Sequence, residues 1–105
     1  MTEAWKAVGC YQNRGRALGD ILRGVAGIRK VSGKLSACQD EAKQQGVSVI
    51  GLDDRKCWSG PDAENTYDMY GNSGQCKTSR PGASMGYYQS ESIFVYKKNN
   101  NGKFP

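Results

Sequence analysis

The four cysteines constrain the fold of this chain more than any other feature of its sequence. Cys10, Cys38, Cys57 and Cys76 are spread over most of its 105 residues, and the chain contains no histidine. Structural zinc sites usually draw their ligands from closely spaced pairs, and the sequence has no Cys-x-x-Cys pair. Two disulfides are therefore the simpler interpretation, and they predict an oxidising compartment, because cytosolic thiols are kept reduced.

Length and composition indicate one small domain. The chain is too short for two ordinary domains, and with 37% hydrophobic residues and 14 glycines its apolar surface is modest. Disulfides must then supply part of the stability. We expect the domain to span residues 5–98, with residues 1–4 as a linker or expression remnant and residues 99–105 as a flexible tail or linker. No segment approaches the roughly 20 apolar residues of a membrane-spanning helix.

The spacing of apolar residues predicts one main helix. Leu35, Cys38 and Ala42 recur at positions i, i+3 and i+7. Ser36 is placed to open a capping box, and Gly46 is placed to end the helix. The apolar stripe is narrow and includes a cysteine, so the helix should pack on a sheet.

Alternation and β-propensity predict the remaining elements. Strands are expected over residues 4–11, 47–52, 56–59 and 92–96, with the last of them central. A short helical segment is expected over 17–25, a turn at 53–55, and a long ordered loop over 60–86. The predicted fold class is α+β, a small disulfide-stapled domain with one main helix packed on an antiparallel sheet.

Five segments, taken together in order, resemble the WSC family of extracellular modules and, more loosely, the PAN/apple group. They are Val8-Gly9-Cys10-Tyr11 followed by Arg16-Ala17-Leu18, the helix around Cys38 and Ala42, the strand 46–52, Cys57-Trp58-Ser59-Gly60, and Ile93-Phe94-Val95-Tyr96. WSC modules usually have eight cysteines and read Cys-Trp-Cys-Gly where this chain has Cys57-Trp58-Ser59-Gly60. The resemblance implies a helix on an antiparallel sheet and an extracellular role in carbohydrate or protein binding.

The predicted elements also indicate how the cysteines pair. Cys38 is the sole cysteine on the main helix, and Cys57 lies on the strand expected beneath it. We therefore predict disulfides Cys38–Cys57 and Cys10–Cys76. Closing loops of about 20 and about 67 residues contributes on the order of 3 to 4 kcal/mol each in the chain-entropy account.

Enzymatic chemistry is difficult to build from these residue types. The chain has no histidine to act as a general base, and no thiol remains once both disulfides form. The carboxylates Asp53, Asp54, Asp62 and Glu64 are typical of solvated turns, although paired carboxylates also serve in glycoside hydrolysis. Calcium binding at these four residues stays open, without an EF-hand pattern to support it. We expect a protein that is not an enzyme and has no cofactor.

Aromatic and amide side chains are concentrated between residues 58 and 89. The C–H face of a sugar ring packs on aromatic rings while amides and carboxylates bind its hydroxyls, and the same residue types anchor protein interfaces. Trp58 is expected in the core, and at least one tyrosine should be buried with its hydroxyl bonded. The predicted ligand-binding residues are Tyr67, Asp68, Tyr70, Asn72, Tyr87, Tyr88 and Gln89.

The net charge of +5 is unevenly placed, since an acidic middle segment lies between two basic ones. The basic residues between 14 and 34 have no aromatic residues among them, so a nucleic-acid partner is not expected. We expect a non-catalytic extracellular recognition module, part of a longer chain, that binds carbohydrate. The alternatives are a protein-interaction or adhesion module of a larger matrix or cell-surface protein, and a small secreted inhibitor or toxin.

Overall fold

An antiparallel sheet of four strands forms the centre of the molecule. The computed structural model describes residues 4–14, 31–60, 62–79 and 83–99. The sheet has the order β1–β6–β2–β3, with β1 at Ala4–Gln12, β6 at Ser92–Asn99, β2 at Val49–Leu52 and β3 at Cys57–Trp58. The central position predicted for the last strand is confirmed, and the α+β fold class with it. The short helix expected over residues 17–25 lies outside the described residues, as do residues 100–105 of the expected tail.

Strand β6 is apolar at consecutive positions because both faces of the sheet are covered. Ile93 and Val95 belong to one buried cluster, and Phe94 and Tyr96 pack in or against another. Successive side chains of a strand point to opposite faces, so these residues serve the two cores in turn. The sequence of a strand that is buried on both faces is a continuous run of apolar residues.

The main helix, α1, spans Val31–Gln45 and packs on the sheet through Cys38 and Ala42, which are both fully buried. Gly46 ends it with φ of +75°, and the Val47 N–H donates to the Ala42 carbonyl at 3.0 Å. With the Gly46 N–H donating to the Lys43 carbonyl at 3.3 Å, this is a Schellman motif, and it confirms the predicted end of the helix.

The predicted start of α1 is wrong. The helix begins at Val31, so Ser36 lies inside it and does not open a capping box. The apolar spacing of Leu35 and Cys38 continues back to Val31 in the sequence, and a pattern of that length outweighs a four-residue capping signal.

Both predicted disulfides are present. Cys38–Cys57 joins α1 to β3, and Cys10–Cys76 joins β1 to the strand β4, which spans Cys76–Ser79. Their Cα atoms are 5.8 and 6.1 Å apart, within the range that disulfides span, and no cysteine is free.

The long loop predicted over residues 60–86 contains regular structure, so this prediction is wrong. A short helix α2 spans Ala63–Thr66, and β4 pairs with β5, Ala83–Gly86, as a separate antiparallel hairpin. These strands have four residues each and no β-branched run, so propensity gave little signal for them. Contacts distant in sequence hold the hairpin, including the Cys10–Cys76 disulfide and the buried side chain of Met85.

Two buried residues confirm the expectations for the core. Trp58 is 2% exposed, and Tyr96 is buried with its hydroxyl donating to the Ser84 carbonyl at 3.0 Å and accepting from the Ser84 N–H at 2.7 Å. Burial raises the pKa of Tyr96, and the hydrogen bonds from Ser84 oppose that rise. Among the described residues, neither helix has the length and apolar content needed to cross a membrane.

Candidate recognition surface

The turn between β2 and β3 is built around the buried carboxylate of Asp53. Its Oδ1 accepts hydrogen bonds from the backbone N–H groups of Arg55 at 2.7 Å and Lys56 at 2.6 Å. Its Oδ2 accepts from the Trp58 indole Nε1 at 2.6 Å. A buried charge is tolerated when hydrogen bonds replace its hydration, and these three N–H donors do so here. Asp53 therefore fixes both the turn and the indole ring.

The next residue, Asp54, joins this turn to the segment that precedes β6. The Asp54 backbone N–H donates to the Gly86 carbonyl at 3.0 Å, and its Oδ1 accepts from the Tyr88 N–H at 2.9 Å. The turn and the Tyr87–Tyr88 segment are therefore held side by side, although 34 positions separate the two bonded residues.

The four carboxylates considered for calcium have separate surroundings. Asp53 binds the turn, and Glu64 on α2 forms an ion pair with Lys97 at 3.5 Å. Asp62 precedes α2, and its carbonyl accepts from the Thr66 hydroxyl. Within residues 4–14, 31–60, 62–79 and 83–99, no three His, Cys, Asp or Glu side chains come together as a metal site.

A layered group of rings and cations lies beside the turn. The Tyr88 ring stacks on Trp58, with centroids 6.5 Å apart and planes 18° apart. The Arg55 guanidinium carbon lies 5.0 Å from the Tyr88 centroid, and Lys56 Nζ lies 5.4 Å from the Trp58 ring and 6.0 Å from the Tyr88 ring. Each distance is within the range of a cation–π interaction. We call these four residues, Arg55, Lys56, Trp58 and Tyr88, the Tyr88 cluster.

Three large apolar side chains are exposed in the described structure, and all lie in the region predicted to bind a ligand. Met69 is 57% exposed, Tyr70 is 41% exposed and Tyr87 is 37% exposed. Lys77 Nζ lies 5.5 Å from the Tyr87 ring centroid. Asp68, Asn72 and Gln89 are exposed as well. Most of the predicted ligand-binding residues are therefore at the surface.

Hydrogen bonds connect the two segments that carry these residues. The Tyr87 N–H donates to the Gln75 carbonyl at 3.2 Å, and the hydroxyls of Ser73 and Ser92 are 2.7 Å apart. Gln12 of β1 also binds this region, donating from its backbone to Gly71 at 2.9 Å and from Nε2 to the Asn72 carbonyl at 3.1 Å. Segments 67–75 and 87–91 therefore adjoin each other and the end of β1. We call them together the loop surface.

Tyr67, like Tyr88, is only partly exposed, and its ring packs on a strand. It meets Tyr11 edge to face at 5.2 Å, and burial followed by the proximity of Tyr67 and Asp68 raises the pKa of Tyr11. Tyr67 also borders a groove of about 650 Å³ along β1 and β6. The lining residues are Trp5, Lys6, Ala7, Val8, Tyr67, Lys97 and Lys98.

The sequence does not indicate the basic residues of the Tyr88 cluster as ligand-binding residues. Its patterns predict only a turn at Arg55 and a strand at Lys56. One signal is present in the sequence, since Lys56 and Trp58 are two positions apart on the predicted strand 56–59, where they would share a face. The contact of Arg55 with Tyr88 had no local signal, because 33 positions separate these residues.

Comparisons of the chain with protein-family models, with curated proteins and with solved structures found no match.

Proposed function

We propose that this protein is a non-catalytic extracellular recognition module that binds carbohydrate through the loop surface. The observation that carries the proposal is the exposure of Tyr70 and Tyr87, 41% and 37%, on two segments that hydrogen bonds hold together. Exposed aromatic rings on a fixed backbone provide the flat apolar faces that a sugar ring packs against.

A sugar also needs polar partners for its hydroxyl groups, and these lie near the exposed rings. Asp68, Asn72 and Gln89 are exposed on the same two segments and offer carboxylate and amide groups for sugar hydroxyls. Because the backbone is already ordered by its own hydrogen bonds, binding pays less of the cost of fixing a loop.

The covalent structure supports the extracellular part of the proposal. The chain has two disulfides, and disulfides form and persist in oxidising compartments. The resemblance to WSC modules also supports an extracellular location. The chain has no histidine and no free thiol, which favours binding over catalysis.

Met69 favours a second candidate, an interface with an extracellular protein. It is the most exposed of the three large apolar side chains, and methionine is enriched in protein interfaces. A sugar ring gains less from a flexible thioether than from a flat aromatic face, so the two candidates predict different effects of its removal.

A glycan array probed with the parent chain and with Tyr70→Ala, Tyr87→Ala and Met69→Ala tests the proposal. We expect specific binding that falls at least about tenfold in either tyrosine variant, a loss typical of a stacking aromatic side chain. Met69→Ala is the matched control, since it removes a neighbouring exposed side chain without removing a ring, and it should bind like the parent. Near-ultraviolet circular dichroism confirms that each variant is folded. An array without specific binding, or equal losses in all three variants, would refute carbohydrate stacking.

A further inference from the structure

The Arg55 guanidinium lies over the Tyr88 ring and can donate hydrogen bonds to an anionic group of a ligand. The guanidinium carbon lies 5.0 Å from the ring centroid, and a contact with a ring does not consume the five N–H donors of a guanidinium. Arg55 is exposed, and the described residues place no carboxylate in an ion pair with it. Its donors are matched in geometry by a carboxylate, which accepts two parallel hydrogen bonds from such a fork.

Hydrogen bonds and ring stacking fix the backbone of Arg55 and the ring that its side chain contacts. Its backbone N–H is held by Asp53, and the ring beneath it is held twice, by stacking on Trp58 and by the bond from the Tyr88 N–H to Asp54. A cation that is positioned before binding loses less side-chain entropy when an anion arrives. Asp53 accepts hydrogen bonds from the backbone of Arg55 and Lys56, and Asp54 accepts one from Tyr88. These bonds position the two cations and the ring that they contact.

The charge count favours a single acidic group over a polyanion. Arg55 and Lys56 supply two cations at the turn, and the adjoining Asp53 and Asp54 carry two negative charges, while Lys77 lies over the neighbouring Tyr87 ring as a single further cation. Binding to a polyanion draws on many cations at once and on a strong net positive field. A turn with balanced charge has no such field, whereas one short, directional ion pair requires only the guanidinium.

We propose that the saccharide recognised by this protein carries a carboxylate, as uronic and sialic acids do, and that Arg55 binds that carboxylate. This inference depends on the proposed carbohydrate function and names the class of sugar. Arg55 adjoins the loop surface, because the Tyr88 ring contacts the guanidinium and the Tyr88 N–H donates to Asp54 of the same turn.

Isothermal titration calorimetry with two matched ligand pairs tests the inference. Trigalacturonate is compared with its methyl ester, which keeps the sugar rings and removes the charge, and 3′-sialyllactose is compared with its own methyl ester for the same reason. We expect the parent to bind the acid of at least one pair about tenfold or more tightly than its neutral partner, as for a charge-assisted hydrogen-bonded pair. The preference should weaken as sodium chloride is raised, because the pair is exposed to solvent.

Variants assign the preference to Arg55. Arg55→Gln should abolish it, and Arg55→Lys should keep only part of it, because an ammonium has the charge without the fork. Lys43→Gln is the matched control, since Lys43 is an exposed cation on α1, and it should leave the preference unchanged.

The outcomes separate this inference from the proposal that it depends on. Equal binding of acid and neutral partner would overturn the inference and leave carbohydrate binding intact, as would an acid preference that survives in Arg55→Gln. A sulfated monosaccharide that binds as tightly as the carboxylates, with the same dependence on Arg55, would overturn the assignment to carboxylate. If none of the four saccharides binds and the array is also empty, both proposals fail.

Discussion

Replacing Asp53 with asparagine tests the structural basis of the candidate site with the smallest change in shape. The Asp53 side chain is 2% exposed and accepts hydrogen bonds from the backbone of Arg55 and Lys56 and from the Trp58 indole. Asparagine has one acceptor oxygen and one N–H₂ group in place of two oxygens. In either orientation of the amide, at least one buried donor faces another donor.

The expected loss follows from these contacts. With the N–H₂ group turned toward Trp58, one hydrogen bond to a charged acceptor is lost, which is worth about 1.5–3 kcal/mol. The bonds from Arg55 and Lys56 continue to a neutral oxygen and weaken, since charge-assisted bonds are roughly twice as strong as neutral ones. We expect Asp53→Asn to lower the free energy of unfolding by about 2–4 kcal/mol, a large part of the stability of a small domain.

Asp54→Asn provides the control at the adjacent position. Asp54 is exposed, and an asparagine there keeps an oxygen to accept the Tyr88 N–H, so we expect a loss below about 1 kcal/mol. Guanidinium denaturation followed by tryptophan fluorescence, with both disulfides oxidised, measures the two variants against the parent. If the two substitutions cost the same within about 0.5 kcal/mol, burial of the Asp53 carboxylate is not what holds the turn.

Two further predictions concern close packing and alkaline pH. Gly86→Ala should destabilise the fold by about 3 kcal/mol or more in urea denaturation, because a Cβ at this position would overlap the backbone of Ser92, whereas Gly74→Ala meets no atom within 4 Å and should change stability by less than about 0.5 kcal/mol. Burial raises the pKa of the Tyr96 hydroxyl above its ordinary value of 10.0. Its neutral form therefore stabilises the folded state below about pH 10, and that contribution is lost as the pH rises through the raised pKa. Tyr96→Phe, which loses the bonds to Ser84, should therefore cost about 1–3 kcal/mol at pH 7 and should lose less stability than the parent above pH 10, and equal alkaline slopes would contradict this origin of the pKa shift.

The features predicted correctly from sequence are those determined by short-range pattern or by covalent chemistry. The i, i+3, i+7 spacing of Leu35, Cys38 and Ala42 located the main helix, and a glycine marked its end. The pairing of Cys38 with Cys57 followed from placing one cysteine on that helix and the other on the neighbouring strand. The first inference needs only the period of a helix. The second needs only one contact between two neighbouring elements.

The features that sequence did not predict depend on contacts between distant residues. Strands β4 and β5 are short and lack β-branched runs, so pairing partners and a disulfide determine them, and propensity does not. The Tyr88 cluster likewise requires the turn at 53–56 to meet residue 88. Composition identifies segments that carry aromatic rings, but it does not distinguish the ring of Tyr67, packed on Tyr11, from an exposed ring such as that of Tyr87.

The turn at 53–56 couples the stability of the domain to the proposed recognition of an acidic sugar. Asp53 is buried, and it positions the backbone of Arg55 and the indole beneath Tyr88. Its replacement should therefore reduce both stability and acid preference, whereas Arg55→Gln removes an exposed side chain and should reduce the preference alone. A variant that loses stability without losing preference would mean that the Arg55 side chain finds its place without the turn, and preorganisation would then contribute nothing to binding.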